Sequence, residues 1–130
     1  MPGARILIVE DETVVAADLT QQLTQSGYCV DGVASTGEEA FRLALELLPD
    51  LVLMDVRLRG TMDGTEAARQ IQQRTGTPVV YLTAYPGVFI QDPSRMRPTN
   101  LCVAKPFSVS ELRTVIETAL ESKDSAARPV

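Results

Sequence analysis

Residues 6–11 read ILIVED and residues 51–55 read LVLMD, and these two stretches decide the fold. Each is a short apolar run that ends in acid, since Glu10 and Asp11 close the first stretch and Asp55 closes the second. Such runs are typical of strands buried in a parallel sheet. The carboxyl ends of parallel strands meet at one edge, where open α/β sheets bind their ligands. The sequence therefore predicts three carboxylates gathered at one edge of a sheet.

Carboxylates gathered in this way would repel one another. Two unit charges about 4 Å apart repel by roughly 4 kcal/mol at an effective dielectric constant of ~20. A cation would remove this repulsion, and a set of oxygen ligands suits a hard cation such as Mg²⁺. We therefore predict that Glu10, Asp11 and Asp55 form a magnesium site.

Strand-like and helix-like segments alternate five times along the chain. Capping boxes at residues 36–39 and 108–111 mark the starts of two helices. Alternating β and α segments of this length indicate a parallel sheet with helices on both faces. The strands are predicted at residues 6–9, 29–34, 51–54, 79–82 and 101–104.

The same pattern predicts which side chains are buried. The chain's two cysteines, Cys29 and Cys102, lie in apolar segments without metal-binding spacing, so we expect buried free thiols rather than a disulfide. The inward positions are Phe41, Ala44, Leu45 and Leu48 in the second helix, and Leu112, Val115, Ile116, Ala119 and Leu120 in the last helix.

Length and composition narrow the class of protein. The 130 residues are expected to form one domain at residues 1–121, followed by a flexible tail or truncated linker at residues 122–130. A net charge of −5 without a basic stripe argues against direct nucleic-acid binding. The chain has no apolar run long enough to span a membrane and no signal peptide, so we expect a cytoplasmic location. It also has no histidine, which excludes histidine-based catalysis.

Two further polar residues follow predicted strands. Thr83 comes directly after the run at residues 79–82, and Lys105 comes directly after residues 101–104. In a parallel sheet both would share the edge with the three acids. A hydroxyl, a lysine and carboxylates around a hard cation are the groups that phosphoryl transfer requires, because one carboxylate can act as the nucleophile while the positive charges neutralise the phosphoryl oxygens.

With these residues in place, the sequence resembles the receiver domain of two-component response regulators over residues 5–121. The resemblance implies a single doubly wound (βα)5 flavodoxin-like three-layer sandwich with a parallel five-stranded sheet of order 2-1-3-4-5. Its marks stand in order at four strand ends, and the spacing from Thr83 to Lys105 is 105 − 83 = 22 positions. They are Glu10-Asp11, Asp55, Thr83-Ala84 and Lys105-Pro106-Phe107.

The resemblance implies a role for each residue of the site. Asp55 would be the phosphoacceptor, taking a phosphoryl group from a sensor histidine kinase or a histidine phosphotransfer protein. Asp11 and Asp55 would bind Mg²⁺, with Glu10 acting through water and the backbone carbonyl of Arg57 as a further ligand. Thr83 and Lys105 would contact the phosphoryl oxygens.

Residues around the site would have supporting roles. Ala84 would leave room for the donor, the Lys105-Pro106 peptide bond is expected to be cis, and the side chains of Arg57 and Tyr85 would flank the opening. Phosphorylation would change which partner the protein binds. If the domain is part of a longer chain, an output domain would respond to this change. It would have no enzymatic activity other than its own phosphorylation and slow dephosphorylation.

Two departures from the family pattern affect the switch. Cys102 stands where receivers usually carry Tyr or Phe, so we expect no aromatic switch there. Where a helix is expected, residues 84–100 contain Pro86, Gly87, Pro93 and Pro98, so we predict a short or irregular fourth helix. A remodelled surface there argues against the dimer common among DNA-binding members of the family. The loop at residues 56–62 also lacks the usual proline.

Three alternative functions make different demands on the sequence. A receiver-like interaction module that works without phosphorylation stays open, because the output face differs from the family pattern. A magnesium phosphatase would need a second Asp two residues after Asp55, where Arg57 stands. A flavin carrier would need a loop rich in Ser, Thr and Gly after the first strand, where acids at residues 10–12 would repel a phosphate.

Overall fold

A computed structural model of the chain describes residues 3–56, 58, 62–83, 101–105 and 107–127. The predicted fourth helix, within residues 84–100, lies outside the described residues, so the label α4 is used here for the final helix. In chain order, the described elements are β1 (Arg5–Val9), α1 (Thr13–Gln25), β2 (Cys29–Ala34), α2 (Gly37–Leu47), β3 (Leu51–Asp55), α3 (Gly64–Thr75), β4 (Val79–Thr83), β5 (Leu101–Ala104) and α4 (Val109–Ala127).

The five strands form one parallel sheet in the order β2-β1-β3-β4-β5, which confirms the predicted topology. Successive residues of β1 face opposite sides of this sheet. Ile6 and Ile8 pack with α1 and α4, whereas Leu7 and Val9 pack with α2 and α3. The result is a doubly wound three-layer sandwich with one apolar core on each face. The strand order reverses between β1 and β3, which creates a crevice at their carboxyl ends.

Side-chain caps fix the starts of three helices at this same edge. The Thr36 hydroxyl accepts a hydrogen bond from the Glu39 backbone N–H at 3.1 Å, and Ser108 does the same for Glu111 at 3.1 Å, as the capping boxes predicted. In addition, Asp63 caps α3 by accepting from the Glu66 N–H at 2.9 Å. These caps determine where each of these loops ends at the carboxyl edge of the sheet.

Strand β2 lies at one edge of the sheet, and its pairing with β1 is irregular. Ile6 is opposite Val30 and Leu7 is opposite Gly32, so Asp31 has no partner position on β1. The Asp31 carboxylate instead accepts a hydrogen bond from Arg5 Nε at 2.7 Å. This irregularity is a β-bulge that carries an ion pair.

The structure corrects two of the burial predictions. Leu48 is 59% exposed because α2 ends at Leu47. Leu48 itself takes a left-handed conformation with φ of 48°, which turns its side chain outward. Cys29 is exposed because it begins an edge strand, whereas Cys102 is half-buried. Both thiols are free, as predicted.

The other helix predictions are closer to the structure. Ala44 is buried and both Phe41 and Leu45 are half-buried, while Leu112, Ile116, Ala119 and Leu120 of α4 are all buried. Helix α4 continues to Ala127, past residue 121, and the flexible tail at residues 122–130 stays a prediction. Within the described part of the chain, every helix is too short or too polar to cross a membrane.

Candidate functional site

The three predicted carboxylates meet in the crevice between β1 and β3. Glu10 follows the last residue of β1, and Asp55 is the last residue of β3. The two strands pair directly, with Val9 opposite Met54, so their ends are neighbours. One carboxylate oxygen from each of Glu10, Asp11 and Asp55 lies within 4.8 Å of the other two.

These polar groups are largely withdrawn from solvent. Glu10 is 2% exposed, Asp55 is 7% exposed and Thr83 is 6% exposed, whereas Asp11 is half-buried. Burying a charge is costly unless it is paired or coordinates a cation. The site therefore contains negative charge that requires compensation nearby.

Part of this compensation comes from Lys105. Its Nζ atom donates a hydrogen bond to Asp55 Oδ2 at 3.1 Å and lies 3.6 Å from Glu10 Oε1. The Lys105 backbone N–H donates to the Thr83 carbonyl at 2.8 Å, which continues the pairing of β4 with β5. Burial alone would lower the pKa of Lys105, but the hydrogen bond and charge of Asp55, together with Glu10, outweigh burial and raise the pKa.

Glu10 is the least satisfied of the carboxylates. Its Oε2 accepts a hydrogen bond from the Glu12 backbone N–H at 3.2 Å, but its buried Oε1 has no hydrogen-bond donor among the described residues. Burial raises the pKa of Glu10 to about 7, with a further contribution from Asp55 and against the lowering effects of the Glu12 N–H and of Lys105. An anion in this position is stabilised by a further positive group.

The donor set fits a hard divalent cation. Glu10, Asp11 and Asp55 present oxygen atoms only, and the buried Glu10 Oε1, which accepts no hydrogen bond from the described residues, lies 3.6 Å from Lys105 Nζ. Carboxylate oxygens are the ligands that Mg²⁺ prefers in proteins. The residues present are therefore compatible with the predicted magnesium site.

Backbone hydrogen bonds hold Asp55 from two sides. The next residue, Val56, donates its N–H to the Leu82 carbonyl of β4 at 3.2 Å and accepts from the Gly64 N–H of α3 at 3.1 Å. The sequence pattern alone assigns no role to Gly64, although a glycine directly after the helix cap Asp63, nine residues after Asp55, is a signal for a close backbone approach. Gly64 lies in close contact with the backbone of Asp55.

The remaining predicted site residues divide into two groups. Arg57, Ala84, Tyr85 and Pro106 lie outside the described residues. Cys102 is described, and it lies opposite Tyr81 in the sheet and packs against the core on the α2–α3 face. Burial raises the pKa of the Cys102 thiol.

A family model for the response regulator receiver domain matches residues 6–117. The chain belongs to the receiver family. A similar curated protein is the transcriptional regulatory protein PdtaR of Mycobacterium tuberculosis (strain H37Rv), which is 39% identical over 116 residues, covering 89% of this chain and 56% of PdtaR. The chain spans about half the length of the curated relatives it matches.

Solved receiver domains share this fold. The receiver domain of a modulated diguanylate cyclase from Desulfovibrio desulfuricans G20 has a TM-score of 0.85 and 35% identity, covering 95% of this chain and 98% of that one. The receiver domain of sensor histidine kinase PA1611 from Pseudomonas aeruginosa PAO1 has a TM-score of 0.79 and 30% identity, covering 92% and 98%. The PA1611 structure has a magnesium ion coordinated in its active site cleft.

Proposed function

We propose that this receiver domain is the phosphoacceptor of a two-component signalling system and that Asp55 receives the phosphoryl group. One observation carries the proposal. The Asp55 carboxylate, buried at the end of β3, lies 3.1 Å from the Lys105 ammonium and beside the carboxylates of Glu10 and Asp11. The proposed nucleophile, the positively charged Lys105 side chain and two further carboxylates that suit Mg²⁺ thus lie together.

The proposed reaction is a transfer between two side chains. An Asp55 carboxylate oxygen attacks the phosphorus of a phosphohistidine on a sensor histidine kinase or a histidine phosphotransfer protein. The new P–O bond forms as the P–N bond breaks, and the imidazole nitrogen leaves with the electron pair and takes up a proton. The product is an acyl phosphate on Asp55.

The surrounding residues stabilise the charge that moves during this transfer. Lys105, already within hydrogen-bond distance of Asp55, neutralises a phosphoryl oxygen as the group arrives, and the Thr83 hydroxyl donates to another. Bound Mg²⁺, held by Glu10, Asp11 and Asp55, would supply additional positive charge to the phosphoryl oxygens. Burial of the site strengthens each of these interactions.

Phosphorylation is proposed to change which partner the domain binds. The relative PdtaR is named a transcriptional regulatory protein, and this chain covers little more than half of it. We propose that an output domain in a longer chain or a separate partner protein reads the phosphorylated state. A cytoplasmic location accords with such partners.

The proposal is tested by intact mass spectrometry after incubation with Mg²⁺ and acetyl phosphate. Wild type should gain the mass of one phosphoryl group, and Asp55→Asn should gain none, because the amide is not a nucleophile for this transfer. Asp18→Asn, on the exposed face of α1, is the matched control and should be labelled like wild type. Labelling that persists in Asp55→Asn would refute the assignment.

A second candidate is an interaction module that works without phosphorylation. It is favoured by Cys102, which replaces the aromatic residue usual at this position and is half-buried beside Tyr81. A folded wild type that takes up no phosphoryl group from acetyl phosphate would support this candidate over the first.

A further inference from the structure

The first residue of α3, Gly64, is packed against the backbone of the proposed phosphoacceptor. A Cβ atom at Gly64 would lie 2.2 Å from the Asp55 carbonyl oxygen and 2.9 Å from the Val56 Cα atom. Separations below 3.0 Å essentially never occur for Cβ atoms, and neither of these neighbours is the end of a flexible side chain. Any side chain at Gly64 would therefore displace the peptide that carries Asp55.

Hydrogen bonds keep this contact in place. Gly64 donates its N–H to the Val56 carbonyl at 3.1 Å, and the preceding Asp63 caps α3 through the Glu66 N–H at 2.9 Å and the Thr65 hydroxyl at 2.8 Å. The start of α3 is thereby fixed against the end of β3. The peptide after Asp55 is held between β4 and α3.

The segment between Asp55 and Gly64 makes a comparable contact near its C-terminal end. Gly37 begins α2, and a Cβ atom there would lie 2.8 Å from the Met62 carbonyl oxygen and 3.1 Å from the Met62 Cβ atom. Met62 packs in turn against the core on the α2–α3 face. The loop between Asp55 and Gly64 is therefore approached closely by two helix N-termini.

Other glycines of the described part of the chain differ from these two. A Cβ atom at Gly3, Gly27 or Gly76 would have no contact within 4 Å, and a Cβ atom at Gly32 would meet only the ends of leucine side chains, the nearest at 3.3 Å. Among the described glycines, close approach of backbone to backbone thus occurs only at Gly64, against Asp55 and Val56, and at Gly37, against Met62.

We propose that Gly64, supported by Gly37, is a positioning residue for Asp55. The absent side chain allows α3 to close on the Asp55 carbonyl, and this closure fixes the carboxylate within reach of Lys105, Glu10 and Asp11. The inference rests on the proposed function, since it concerns how the phosphoacceptor is held. Restoring a 3.0 Å separation at Gly64 requires a movement of at least 3.0 − 2.2 = 0.8 Å. A misplacement of about 1 Å can slow an enzymatic reaction by about 100-fold.

A matched variant at the other end of α3, Gly76→Ala, distinguishes the positioning role of Gly64 from a purely structural role. Gly76, the cap residue directly after α3, has φ of 71°, so Gly76→Ala strains the backbone, yet its new Cβ meets nothing within 4 Å. Both substitutions destabilise α3, but only Gly64→Ala disturbs Asp55. A loss of function caused by instability alone would appear in both variants.

The experiment uses the full 130-residue chain. We would measure the labelling rate at saturating Mg²⁺ and acetyl phosphate, and separately the Mg²⁺ dissociation constant by calorimetry without phosphodonor. Gly64→Ala should be labelled about 10- to 100-fold more slowly and bind Mg²⁺ about 10-fold more weakly. Gly37→Ala should show smaller changes in the same direction, and Gly76→Ala should match wild type in both measurements.

Each outcome bears on the inference. A folded Gly64→Ala that is labelled and binds Mg²⁺ like wild type would overturn it. If Gly64→Ala does not fold, a Gly37→Ala variant that matches Gly76→Ala in both measurements would overturn it instead. An unlabelled wild type would refute the proposed function, and the Mg²⁺ affinities of the variants would then still decide whether Gly64 positions the acid cluster.

Discussion

At the scale of single residues, Lys105 governs the electrostatics of the crevice. Its ammonium is within 3.1 Å of Asp55 and 3.6 Å of Glu10, and Glu10 has an unsatisfied oxygen on the same side. Lys105 thus compensates the same carboxylates that a bound cation would compensate. The lysine and the metal should be partly interchangeable as a source of stability in the unphosphorylated protein.

Replacing Lys105 tests this relation. Lys105→Met should lower the free energy of unfolding without Mg²⁺ by about 1–2 kcal/mol, since it leaves buried carboxylates uncompensated while one face of the side chain stays solvated. Mg²⁺ should then raise the melting temperature of Lys105→Met by more than it raises that of wild type. Arg42→Met, which removes only an exposed pair with Glu46, is the control and should show the wild-type shift. Equal Mg²⁺ shifts in all three proteins would contradict this account.

At the scale of elements, one hydrogen bond joins the turn before β2 to the final helix. The buried Tyr28 hydroxyl donates to the Glu117 carboxylate of α4, 89 residues away in sequence. Burial, followed by this hydrogen bond and the charge of Glu117, raises the pKa of Tyr28 to about 12. The contact therefore depends on Tyr28 remaining protonated.

This contact predicts a loss of stability at alkaline pH. Because the pKa of Tyr28 is higher in the folded chain than its ordinary value of 10.0, its contribution is complete below pH 10 and is lost as the pH rises to about 12. Urea unfolding at pH 8, 10 and 11 should show a steeper decline for wild type than for Tyr28→Phe. The variant should also be less stable at pH 8 by about 1.5–3 kcal/mol, the contribution typical of a hydrogen bond to a charged group. Parallel declines in the two proteins would refute the role of Tyr28.

Most helices and strands, but not every buried position, could be predicted from the sequence alone. The strands were predictable because buried parallel strands are continuous apolar runs, and the caps at Thr36 and Ser108 were predictable because a cap is a local interaction. Leu48 was predicted wrongly because helical spacing does not reveal that α2 ends one residue earlier. Cys29 was predicted wrongly because an apolar neighbourhood does not distinguish an edge strand from a central one.

At the scale of the whole molecule, the site exists only when the fold is complete. Glu10 and Lys105 are 105 − 10 = 95 residues apart in sequence and 3.6 Å apart in the crevice. The sequence could predict this convergence because parallel strands share an edge, and could not predict the contact between Gly64 and Asp55, which depends on where α3 packs. The chemical roles of Asp55, Thr83 and Lys105 stay predictions.

A site formed by distant segments couples ligand binding to global stability. Mg²⁺ should stabilise wild type against unfolding by RT ln(1 + [L]/Kd), or about 2.7 kcal/mol at 100 times the dissociation constant. Asp11→Asn should reduce this effect, because a ligand is lost, while leaving the metal-free protein as stable as wild type or more so, because a like charge is removed. Thermal melts with and without Mg²⁺ would measure both quantities. An Asp11→Asn variant with the full Mg²⁺ shift would rule out Asp11 as a ligand.

The bulge in β2 has a consequence for how molecules of this protein meet one another. An outer strand with unpaired N–H and C=O groups is a template on which another chain can add a strand, the first step towards aggregation. The extra residue at Asp31 interrupts the regular spacing of those groups, and the Arg5–Asp31 pair adds charge at the same place. An incoming strand would have to pair with irregularly spaced backbone groups and desolvate an ion pair. The bulge therefore helps to keep neighbouring copies apart at high concentration.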